Sequence, residues 1–468
     1  MKRTYEGTGD RALTVVKDVP GTFRHADCMW TYYPDLLARP VPRYTSYPTA
    51  AEFTASVGGA DMAAALARVE PDEQISLYLH IPYCREICWY CGCNTGAATR
   101  EARLAAYVGR LHDEIDLVAA RLGGRGRVGR IAFGGGSPNA IAPAAFSALL
   151  EHVTRAFGCR WPIISVELDP RGFDEEWAAA LAAVGVERAS LGVQTLDPAI
   201  QALIGRVQPH EHIARTVGLL RQAGVRSLNF DLMYGLPGQD TAALSETLEA
   251  ALALAPDRLA VFGYAHVPQI IPRQRRIDAA RLPGAAARFE QAAYAHDFLL
   301  DRGFEAVGFD HFARPGDPLA RAVREGGVRR NFQGFTDDTA TCLLGLGASA
   351  ISAFPDRLLQ NEKNTGRYQL AVGAGRFPVE RGVWRSAEDR ARGRIIEQLL
   401  TTGRADLAPL LERTCFRAPL LDFERRGLLA WQGSVIVLTP AALPYARAIA
   451  ARIDAYRDQS AGRFSHAV

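Results

Sequence analysis

The feature that most constrains the fold of this chain is an alternation of short β-rich runs with longer helical stretches between residues 75 and 264. Such an alternation is typical of βα units in an α/β protein with a parallel sheet. Because βαβ crossovers are right-handed, the sheet is expected to curl toward a barrel. Six units make a partial, TIM-like (β/α)6 barrel, short of the full eight. The six runs span residues 75–80, 130–133, 163–168, 188–193, 227–233 and 258–264.

Outside this alternation the chain divides into parts with different patterns. Residues 1–42 show no clear periodicity and are interpreted as an N-terminal extension or lid, which holds an unexplained Cys28. Residues 43–385 form the predicted barrel domain, with extra strands expected within 304–352. Residues 386–468 are predicted to be a mainly helical domain. Its expected elements are helices at 388–402, 406–412, 417–426 and 440–457 and a small β-hairpin at 428–439.

The composition excludes several classes of protein. The 468 residues are 48% apolar and 22% charged, which excludes a disordered or collagen-like chain. The net charge of +3 gives no support to a nucleic-acid or membrane-surface partner. No apolar stretch approaches the roughly 18 residues of a membrane span, and no apolar signal-peptide core is visible. We therefore expect a cytoplasmic, monomeric protein with reduced thiols.

Glycines and polar residues follow the predicted strands at the points where those strands end. On a parallel sheet the carboxyl ends of the strands carry the chemistry, because the loops after them meet at one face. The sequence therefore predicts one site built from several separate segments. In strand order these are the cysteine loop at 84–93, the glycines Gly134, Gly135 and Gly136, then Glu167, Gln194, Asp231 and the segment from Tyr264 to His266.

Half of the eight cysteines lie within ten residues, at Cys84, Cys88, Cys91 and Cys93. A disulfide framework would spread them along a shorter secreted chain. Thiolates spaced this closely on one loop can bind several irons of one iron–sulfur cluster. Two alternatives stay open: a structural zinc site, which usually takes ligands from two separated knuckles, and buried unreactive thiols.

The C-x-x-x-C-x-x-C spacing after the first strand resembles the signature of the radical S-adenosylmethionine (SAM) enzymes. The surrounding sequence is similar to one family among them, the oxygen-independent coproporphyrinogen III oxidases, over roughly residues 40–465. The motifs that carry the resemblance are PRYTSYPTA (42–50), LYLHIPYCREICWYCGCN (77–94), GGGSP (134–138), SVELDPR (165–171), LGVQT (191–195), NFDLMYGLPGQ (229–239), YAHVP (264–268), DHFARP (310–315) and RNFQGF (330–335).

The resemblance implies the cofactors and the residues that bind them. Cys84, Cys88 and Cys91 would bind three irons of a [4Fe–4S] cluster, whose fourth iron chelates SAM. Cys93 is expected to be required without being a ligand, and Tyr78 shares the catalytic assignment. The family binds two SAM molecules. The resemblance assigns Tyr78, Gly135, Glu167 and Ile351 to the first SAM, and Tyr90, Gly136, Ser137, Gln194, Arg206, Asp231 and Ala265 to the second.

The activity that the resemblance implies is the oxidative decarboxylation of two propionates of coproporphyrinogen III to vinyl groups, which gives protoporphyrinogen IX in haem biosynthesis. A 5′-deoxyadenosyl radical would start each reaction, and an electron donor such as flavodoxin or ferredoxin would reduce the cluster. The substrate carries four carboxylates, which arginines bind bidentately. Arg43, Arg314 and Arg330 are the candidates.

Two other functions within the same superfamily are compatible with the cysteine motif. A haem-binding chaperone would lack the YTSYPTA segment and the cysteine after the third ligand, and this chain has both. A radical SAM methyltransferase or cyclopropanase, which also uses two SAM molecules, stays open at the level of the sequence.

Overall fold

The structure, a computed structural model, describes residues 4–5, 13–15, 23–25, 30–98, 100–411 and 415–457, so Cys28 lies outside the described residues. A twelve-stranded mixed sheet forms the centre of the molecule. Its strands are β1 (Gln74–Ile81), β2 (Arg127–Gly135), β3 (Ile163–Leu168), β4 (Arg188–Gln194), β5 (Ser227–Tyr234), β6 (Arg258–Gly263), β7 (Glu305–Val307), β8 (His311–Ala313), β9 (Cys342–Leu346), β10 (Ile351–Phe354), β11 (Arg357–Asn361) and β12 (Val379–Trp384).

Six parallel strands in chain order form the core of this sheet, as the alternation predicts. Each of β1 to β5 pairs in parallel with its successor in the chain. In β1 only the first of the eight residues, Gln74, is exposed. β1 is therefore a nearly continuous apolar run, as strands buried on both faces are. β3 and β4 instead alternate between buried and half-buried residues, because one of their faces lines cavities inside the sheet.

The extra strands extend both edges of the parallel core. At one edge β9 pairs in parallel with β1, and β10, β11 and β12 continue antiparallel beyond it. At the other edge β8 pairs antiparallel with β6, and β7 pairs with β8. Of the strands expected within 304–352, four belong to the two edges of this sheet, which continues to Trp384, and two others, Arg329–Asn331 and Gly334–Thr336, form a separate antiparallel hairpin.

Helices connect the strands and pack on the sheet. The Asp174 carboxylate accepts the N–H of Trp177 at 3.0 Å and begins one helix with a side-chain cap. The Trp177 ring is fully buried and lies 5.2 Å from the ring of Phe146 on the preceding helix. The α-helices span Pro34–Leu37, Gly59–Ala67, Glu101–Leu122, Pro143–Ala156, Glu175–Ala183, Pro198–Leu203, His210–Gln222, Thr241–Ala253, Ala285–Asp301, Pro318–Arg324, Thr365–Gly373, Ala387–Thr401, Ala408–Leu411, Arg417–Arg425 and Ala446–Ala450.

A charged cluster around Asp337 closes the amino end of the barrel. The Asp337 carboxylate pairs with Arg130 of β2 at 2.9 Å and with Arg188, the first residue of β4, at 2.7 Å. The next residue, Asp338, accepts a hydrogen bond from Ser76 of β1. These side chains tie three strands together at the end opposite to the loops that follow the strands.

The C-terminal part begins after β12 with the helix Ala387–Thr401, which falls at the boundary predicted at 385/386. The two shorter helices are also near their expected positions. The expected hairpin, Leu429–Gln432 with Val435–Leu438, has a third strand, Arg404–Asp406, paired to it.

The prediction of one long helix over 440–457 is wrong. The structure has a 3₁₀ turn at Pro440–Tyr445 followed by a helix of five residues, Ala446–Ala450. Pro444 lies inside this stretch and has no N–H to donate to a helical hydrogen bond, so a continuous α-helix cannot pass through it.

Residues 1–42 contain strands that the sequence did not predict. Four short strands, Thr4–Tyr5, Leu13–Val15, Phe23–His25 and Thr31–Tyr32, form an antiparallel sheet. The role of this segment as a lid stays a prediction. Within the described ranges, no helix is both long enough and apolar enough to cross a membrane.

Candidate active site

A cavity of about 520 Å³ lies at the carboxyl ends of the parallel strands and brings together most of the predicted site residues. Its walls come from the cysteine loop, the glycines at the end of β2 and the polar ends of β3, β4 and β5. Tyr78, Ser137 and Ile351 do not line it. The predicted residues that do are Cys84, Cys88, Tyr90, Cys91, Cys93, Gly135, Gly136, Glu167, Gln194, Arg206, Asp231 and Ala265.

The cysteine loop is held at both of its ends by backbone pairing. Tyr83–Cys84 pairs in parallel with Gly96–Ala97, and the N–H of Ala98 donates to the Cys84 carbonyl at 2.8 Å. The chain between these two short strands therefore projects as a closed loop at the mouth of the cavity. This explains how four cysteines so close in sequence can face one space.

Each of the three predicted cluster ligands has a hydrogen-bond donor on its sulfur. The Thr95 hydroxyl donates to Cys84 Sγ at 3.2 Å, and the Cys93 N–H donates to Cys91 Sγ at 3.4 Å. Arg206 donates to Cys88 Sγ at 3.2 Å. Donors directed at sulfur stabilise thiolates and cluster-bound sulfurs, so this environment fits an iron–sulfur cluster.

The fourth cysteine lies beside the third one. A hydrogen bond from Cys93 lowers the pKa of the Cys91 thiol to about 6, although burial opposes this change. The same hydrogen bond raises the pKa of Cys93 well above its usual value, so Cys93 is the donor and stays a thiol. Burial raises the pKa of Cys84 to about 11, so a bound metal is needed to hold that sulfur as a thiolate.

The arrangement of these cysteines bears on whether they bind an iron–sulfur cluster or a single metal ion. Among the described residues, no three His, Cys, Asp or Glu side chains converge in the manner that one metal ion requires. The ligands of an iron–sulfur cubane bind different irons, so they do not need to meet at one point. The loop is therefore consistent with the cluster that the resemblance implies.

Behind Cys88 lies an ion-pair group that the sequence analysis missed. The Asp169 carboxylate accepts from Arg171 at 2.6 Å and from Arg206 at 3.2 Å, and Arg171 also donates to Cys88 Sγ at 3.3 Å. The arginines lower the pKa of Asp169 although burial acts to raise it. Arg206 was predicted as a ligand of the second SAM, and the structure directs its guanidinium toward Asp169 and Cys88. The sequence signal that could have indicated this group is the Asp-Pro-Arg at the end of the SVELDPR motif, two residues after Glu167.

The three glycines at the end of β2 are required by protein atoms as well as by any ligand. A Cβ on Gly136 would lie 2.4 Å from the Tyr83 carbonyl oxygen, and one on Gly134 would lie 2.5 Å from a carboxylate oxygen of Glu167. Gly135 has a φ of +114°. Its N–H donates to the Glu167 carboxylate at 3.3 Å. Glycine at these positions lets the cysteine loop and the end of β3 approach the end of β2 closely.

Two carboxylates face the cavity: Glu167, near the end of β3, and Asp231, on β5. Burial and, to a smaller extent, the nearby charge of Asp231 raise the pKa of Glu167 to about 7. Burial also raises the pKa of Asp231, whose carboxylate accepts from Asn229 at 2.8 Å and from Ser190 at 3.2 Å. Carboxylates with raised pKa values in a cavity are typical of ligand-binding and catalytic sites.

Gln194 has two features that point to a polar ligand. Its backbone has a φ of +67°, a left-handed conformation that is strained for a residue with a side chain. Its side-chain oxygen is buried and has no hydrogen-bond partner. An unpaired buried acceptor at a cavity wall is costly unless a ligand or water completes it.

Tyr78 and Ile351 lie on strands beside the cavity. The Tyr78 hydroxyl lies 3.1 Å from His80 Nδ1, and Ser349 Oγ lies 3.3 Å from His80 Nε2. Burial lowers the pKa of His80 to about 4, so this histidine is neutral. Ile351 begins β10, and its backbone packs against Gly345, the residue paired with Tyr78.

Ser137 is buried and its hydroxyl binds protein atoms. It donates to Asn139 and accepts the Asp169 N–H at 3.0 Å. The serine therefore supports the end of β3, and its assignment to the second SAM stays a prediction.

The structure brings two of the three candidate substrate arginines together. Arg330 donates to the Arg43 carbonyl at 3.1 Å, and Arg43 lines the cavity. Arg314 is exposed, packs over the ring of Phe304 at 4.7 Å and lines neither this cavity nor any other described here. Arg43 and Arg314 are both exposed, so their position relative to the cavity distinguishes them, and the sequence motif does not.

A parallel barrel with a C-x-x-x-C-x-x-C loop after its first strand defines a radical SAM enzyme, and residues 78–251 match the model of the Radical SAM superfamily. The oxygen-independent coproporphyrinogen III oxidase of Bradyrhizobium diazoefficiens is 44% identical over 374 residues, which cover 80% of this chain and 83% of the relative. The enzyme of the same name from Paracoccus denitrificans is 41% identical over 440 residues, 92% of this chain and 96% of the relative. This chain belongs to the oxygen-independent coproporphyrinogen III oxidases.

A solved structure supports the same assignment. The coproporphyrinogen III oxidase of Escherichia coli, described as a radical SAM enzyme, superposes with a TM-score of 0.84 at 35% identity and covers 92% of this chain and 99% of its own. The predicted fold class and the resemblance are therefore confirmed. These comparisons favour the oxidase over the haem-binding chaperone and the methyltransferase or cyclopropanase. The cofactors of this family are a [4Fe–4S] cluster and SAM.

Proposed function

We propose that this chain oxidatively decarboxylates two propionates of coproporphyrinogen III to vinyl groups and so forms protoporphyrinogen IX. One observation supports this most: the cysteine loop, the glycines at the end of β2 and the carboxylates of β3 and β5 line a single cavity of about 520 Å³. Each decarboxylation removes one CO₂ and one hydrogen from a propionate, together with an electron that an acceptor must take. When bound, the cluster and SAM would supply the radical chemistry that takes this hydrogen, and the residues described below would hold them.

Cys84, Cys88 and Cys91 would hold the cluster. The donors on their sulfurs come from Thr95, from the Cys93 N–H and from the arginines paired with Asp169. Such donors orient metal ligands and reduce the negative charge on them. Cys93, which donates to Cys91, is proposed to act without binding iron.

The first SAM is proposed to contact Tyr78, Gly135, Glu167 and Ile351. Glu167 supplies a carboxylate for a cationic or hydroxyl group, and the buried Tyr78 phenol supplies a donor. The second SAM is proposed to occupy the wall formed by Tyr90, Gly136, Ser137, Gln194, Arg206, Asp231 and Ala265. The support for it is the unpaired oxygen of Gln194 and the raised pKa of Asp231.

The remaining properties are proposed on chemical grounds. An exposed loop that carries the cluster ligands suits a small electron donor such as flavodoxin or ferredoxin. Free thiols that must bind iron require a reducing compartment, so we propose that the protein works in the cytoplasm. Separately, we propose that it works as a monomer. We also propose that residues 1–42 act as a lid, that 43–385 carry the radical chemistry and that 386–468 form the C-terminal domain.

The test is a product assay with the anaerobically reconstituted enzyme, SAM, a reductant and coproporphyrinogen III. We expect protoporphyrinogen IX and CO₂, and neither when SAM is omitted. Cys88→Ser should lose iron and product, whereas Cys415→Ser, at an exposed cysteine, should keep both. Cys93→Ser should keep its iron and lose product. A methylated porphyrin as the only product, or stoichiometric zinc in place of iron, contradicts the proposal.

A further inference from the structure

A second, smaller cavity lies directly beside the site and is surrounded by arginines. It has a volume of about 40 Å³ and lies between the ends of β5 and β6, the helix Ala285–Asp301 and the segment around Leu443. Arg43, Phe262 and Gly263 line both this cavity and the large one. The two spaces therefore share a wall, and a large ligand in the main cavity can extend a side chain into the small one.

Positive charge exceeds negative charge around the small cavity. Arg43, Arg288 and Arg447 line it, and Asp310 is the one carboxylate among the described lining residues. Arg330 lies behind this wall, where it donates to the Arg43 carbonyl and packs over the ring of Phe309 at 4.9 Å. The Asp310 carboxylate is bound by His311 Nδ1 at 2.6 Å, so part of its capacity is already used.

Two of these guanidinium groups have buried nitrogens that lack hydrogen-bond partners. They are Nε of Arg288 and Nη1 of Arg330. Burial and the charge of Arg43 together lower the pKa of Arg330 to about 10, although Asp310 acts in the opposite direction. Burial and Arg43 also lower the pKa of Arg288. Buried cations without partners cost stability, and an anion that accepts from them removes this cost.

We propose that Arg43 and Arg288, with the charge of Arg330 behind them, form a carboxylate subsite that binds a propionate of the substrate that is not reacting. This inference rests on the proposed function. Guanidinium groups bind carboxylates through paired N–H donors, and the small cavity has room for one such group. Arg288 lines the small cavity alone, whereas the cysteine loop and Glu167 line the large one alone. A carboxylate at Arg288 is therefore kept away from the residues proposed to hold the cofactors.

The subsite explains how one active centre can act on a macrocycle with four similar side chains. Only one propionate can face the radical at a time, and two propionates survive in the product. An anchor at a fixed distance from the reacting position selects which side chain is presented. It acts as a positioning element and takes no part in the bond-breaking step.

The test measures binding of coproporphyrin III, the fluorescent oxidised form of the substrate with the same four propionates, to the purified full-length enzyme. Arg288→Gln and Arg43→Gln should weaken binding by roughly ten- to a hundredfold, the size expected for lost hydrogen bonds between charged groups. Arg288→Lys, which keeps a charge, should recover part of the affinity. Arg314→Gln is the matched control and should bind as the wild type does. Wild-type affinity in both glutamine variants overturns the proposal.

Two further measurements separate this role from a structural one. Arg288→Gln should leave the melting temperature of the ligand-free protein unchanged or raise it, because it removes a buried charge without a partner. If the free energy of unfolding of the ligand-free variant falls by as much as its free energy of porphyrin binding, Arg288 has a structural role and the proposal is wrong. Mesoporphyrin IX keeps only the two propionates that survive the reaction, so its binding should weaken in Arg288→Gln as well. If only coproporphyrin III is affected, the subsite holds a reacting propionate and the proposal is wrong.

The same experiment distinguishes a wrong subsite from a wrong function. Wild-type enzyme that forms protoporphyrinogen IX, with variants that bind porphyrin normally, overturns the subsite and leaves the activity standing. Wild-type enzyme that neither turns over coproporphyrinogen III nor binds coproporphyrin III overturns both.

Discussion

Replacing Asp169 by asparagine should destabilise the protein and disturb the cysteine loop together. The carboxylate accepts from Nε and Nη2 of Arg171 and from both Nη atoms of Arg206, at distances between 2.6 and 3.2 Å. Its side chain is 16% exposed. Asparagine keeps the size of the group, but it removes the negative charge from two guanidinium groups that have little access to water.

The expected magnitude follows from burial and from the length of the chain. Removing one partner of a buried ion pair costs about 3–5 kcal/mol. The entropy of unfolding is about 2.1 cal/mol/K per residue, or roughly 1 kcal/mol/K for 468 residues unfolding as one unit. The melting temperature should therefore fall by roughly 3–5 °C. The reconstituted enzyme should also hold less iron, because Arg171 and Arg206 both donate to Cys88 Sγ.

The assay is thermal unfolding of the reduced protein under anaerobic conditions, followed by iron analysis after reconstitution. Glu86→Gln is the matched control, because Glu86 pairs with the same Arg171 at 2.7 Å but its side chain is 70% exposed. Exposed ion pairs contribute about 0–1 kcal/mol, so this variant should change little. Equal, small effects in Asp169→Asn and Glu86→Gln would refute the reasoning that burial makes Asp169 the anchor of both arginines.

Three further predictions follow from other charged groups of the structure. The pKa of Glu167 is raised to about 7, so the folded state favours its neutral form and loses that stabilisation as the pH rises from about 4.5 to 7. Glu167→Gln should therefore stabilise the ligand-free protein more at pH 8 than at pH 5, and the difference between the two gains in unfolding free energy should be no more than about 3 kcal/mol. A gain in melting temperature that is independent of pH contradicts this. Asp231→Ala should reduce the binding of labelled SAM from two molecules per chain to one, or weaken the second by roughly 5- to 150-fold; one molecule per wild-type chain ends the two-SAM proposal. Asp337→Asn removes the carboxylate that the half-buried Arg130 and Arg188 share and should cost about 3–5 kcal/mol of unfolding free energy, whereas Asp72→Asn, in a pair whose aspartate is 78% exposed, should cost less than about 1 kcal/mol.

The parallel core could be predicted from the sequence because short β-rich runs recur at regular spacing between helical stretches. β9 shows where this reasoning ends. Its residues, Cys342–Leu346, are as apolar as those of β1, and all of them are buried. No helical stretch links this run to β1, so only the three-dimensional arrangement shows that it pairs with a strand more than 250 residues earlier. Local pattern identifies a strand, whereas tertiary contacts decide its neighbour.

The site could be predicted only where its residues sit at the ends of predicted strands. Glu167 and Gln194 lie at such positions, Cys91 lies on the loop after the first strand and Asp231 lies late in the fifth, and all four line the cavity. The pairing of Asp169 with arginines from two different segments has no periodic signal. The unpaired oxygen of Gln194 is likewise a property of packing, so the strongest structural sign of a polar ligand is invisible in the sequence.

The arginines near the substrate show how distant parts of the chain combine in one site. Arg43 precedes Tyr44, whose backbone has a φ of +49° and whose hydroxyl donates to Asp454 at 3.0 Å. Nearby, the Tyr47 hydroxyl accepts the N–H of Ala455 at 2.9 Å. These contacts from residues 454 and 455 hold the segment that carries Arg43. They also hold Tyr44 in its strained left-handed conformation. Since Arg43 lines both cavities, the C-terminal domain takes part in forming the active site although it contributes none of the cluster ligands.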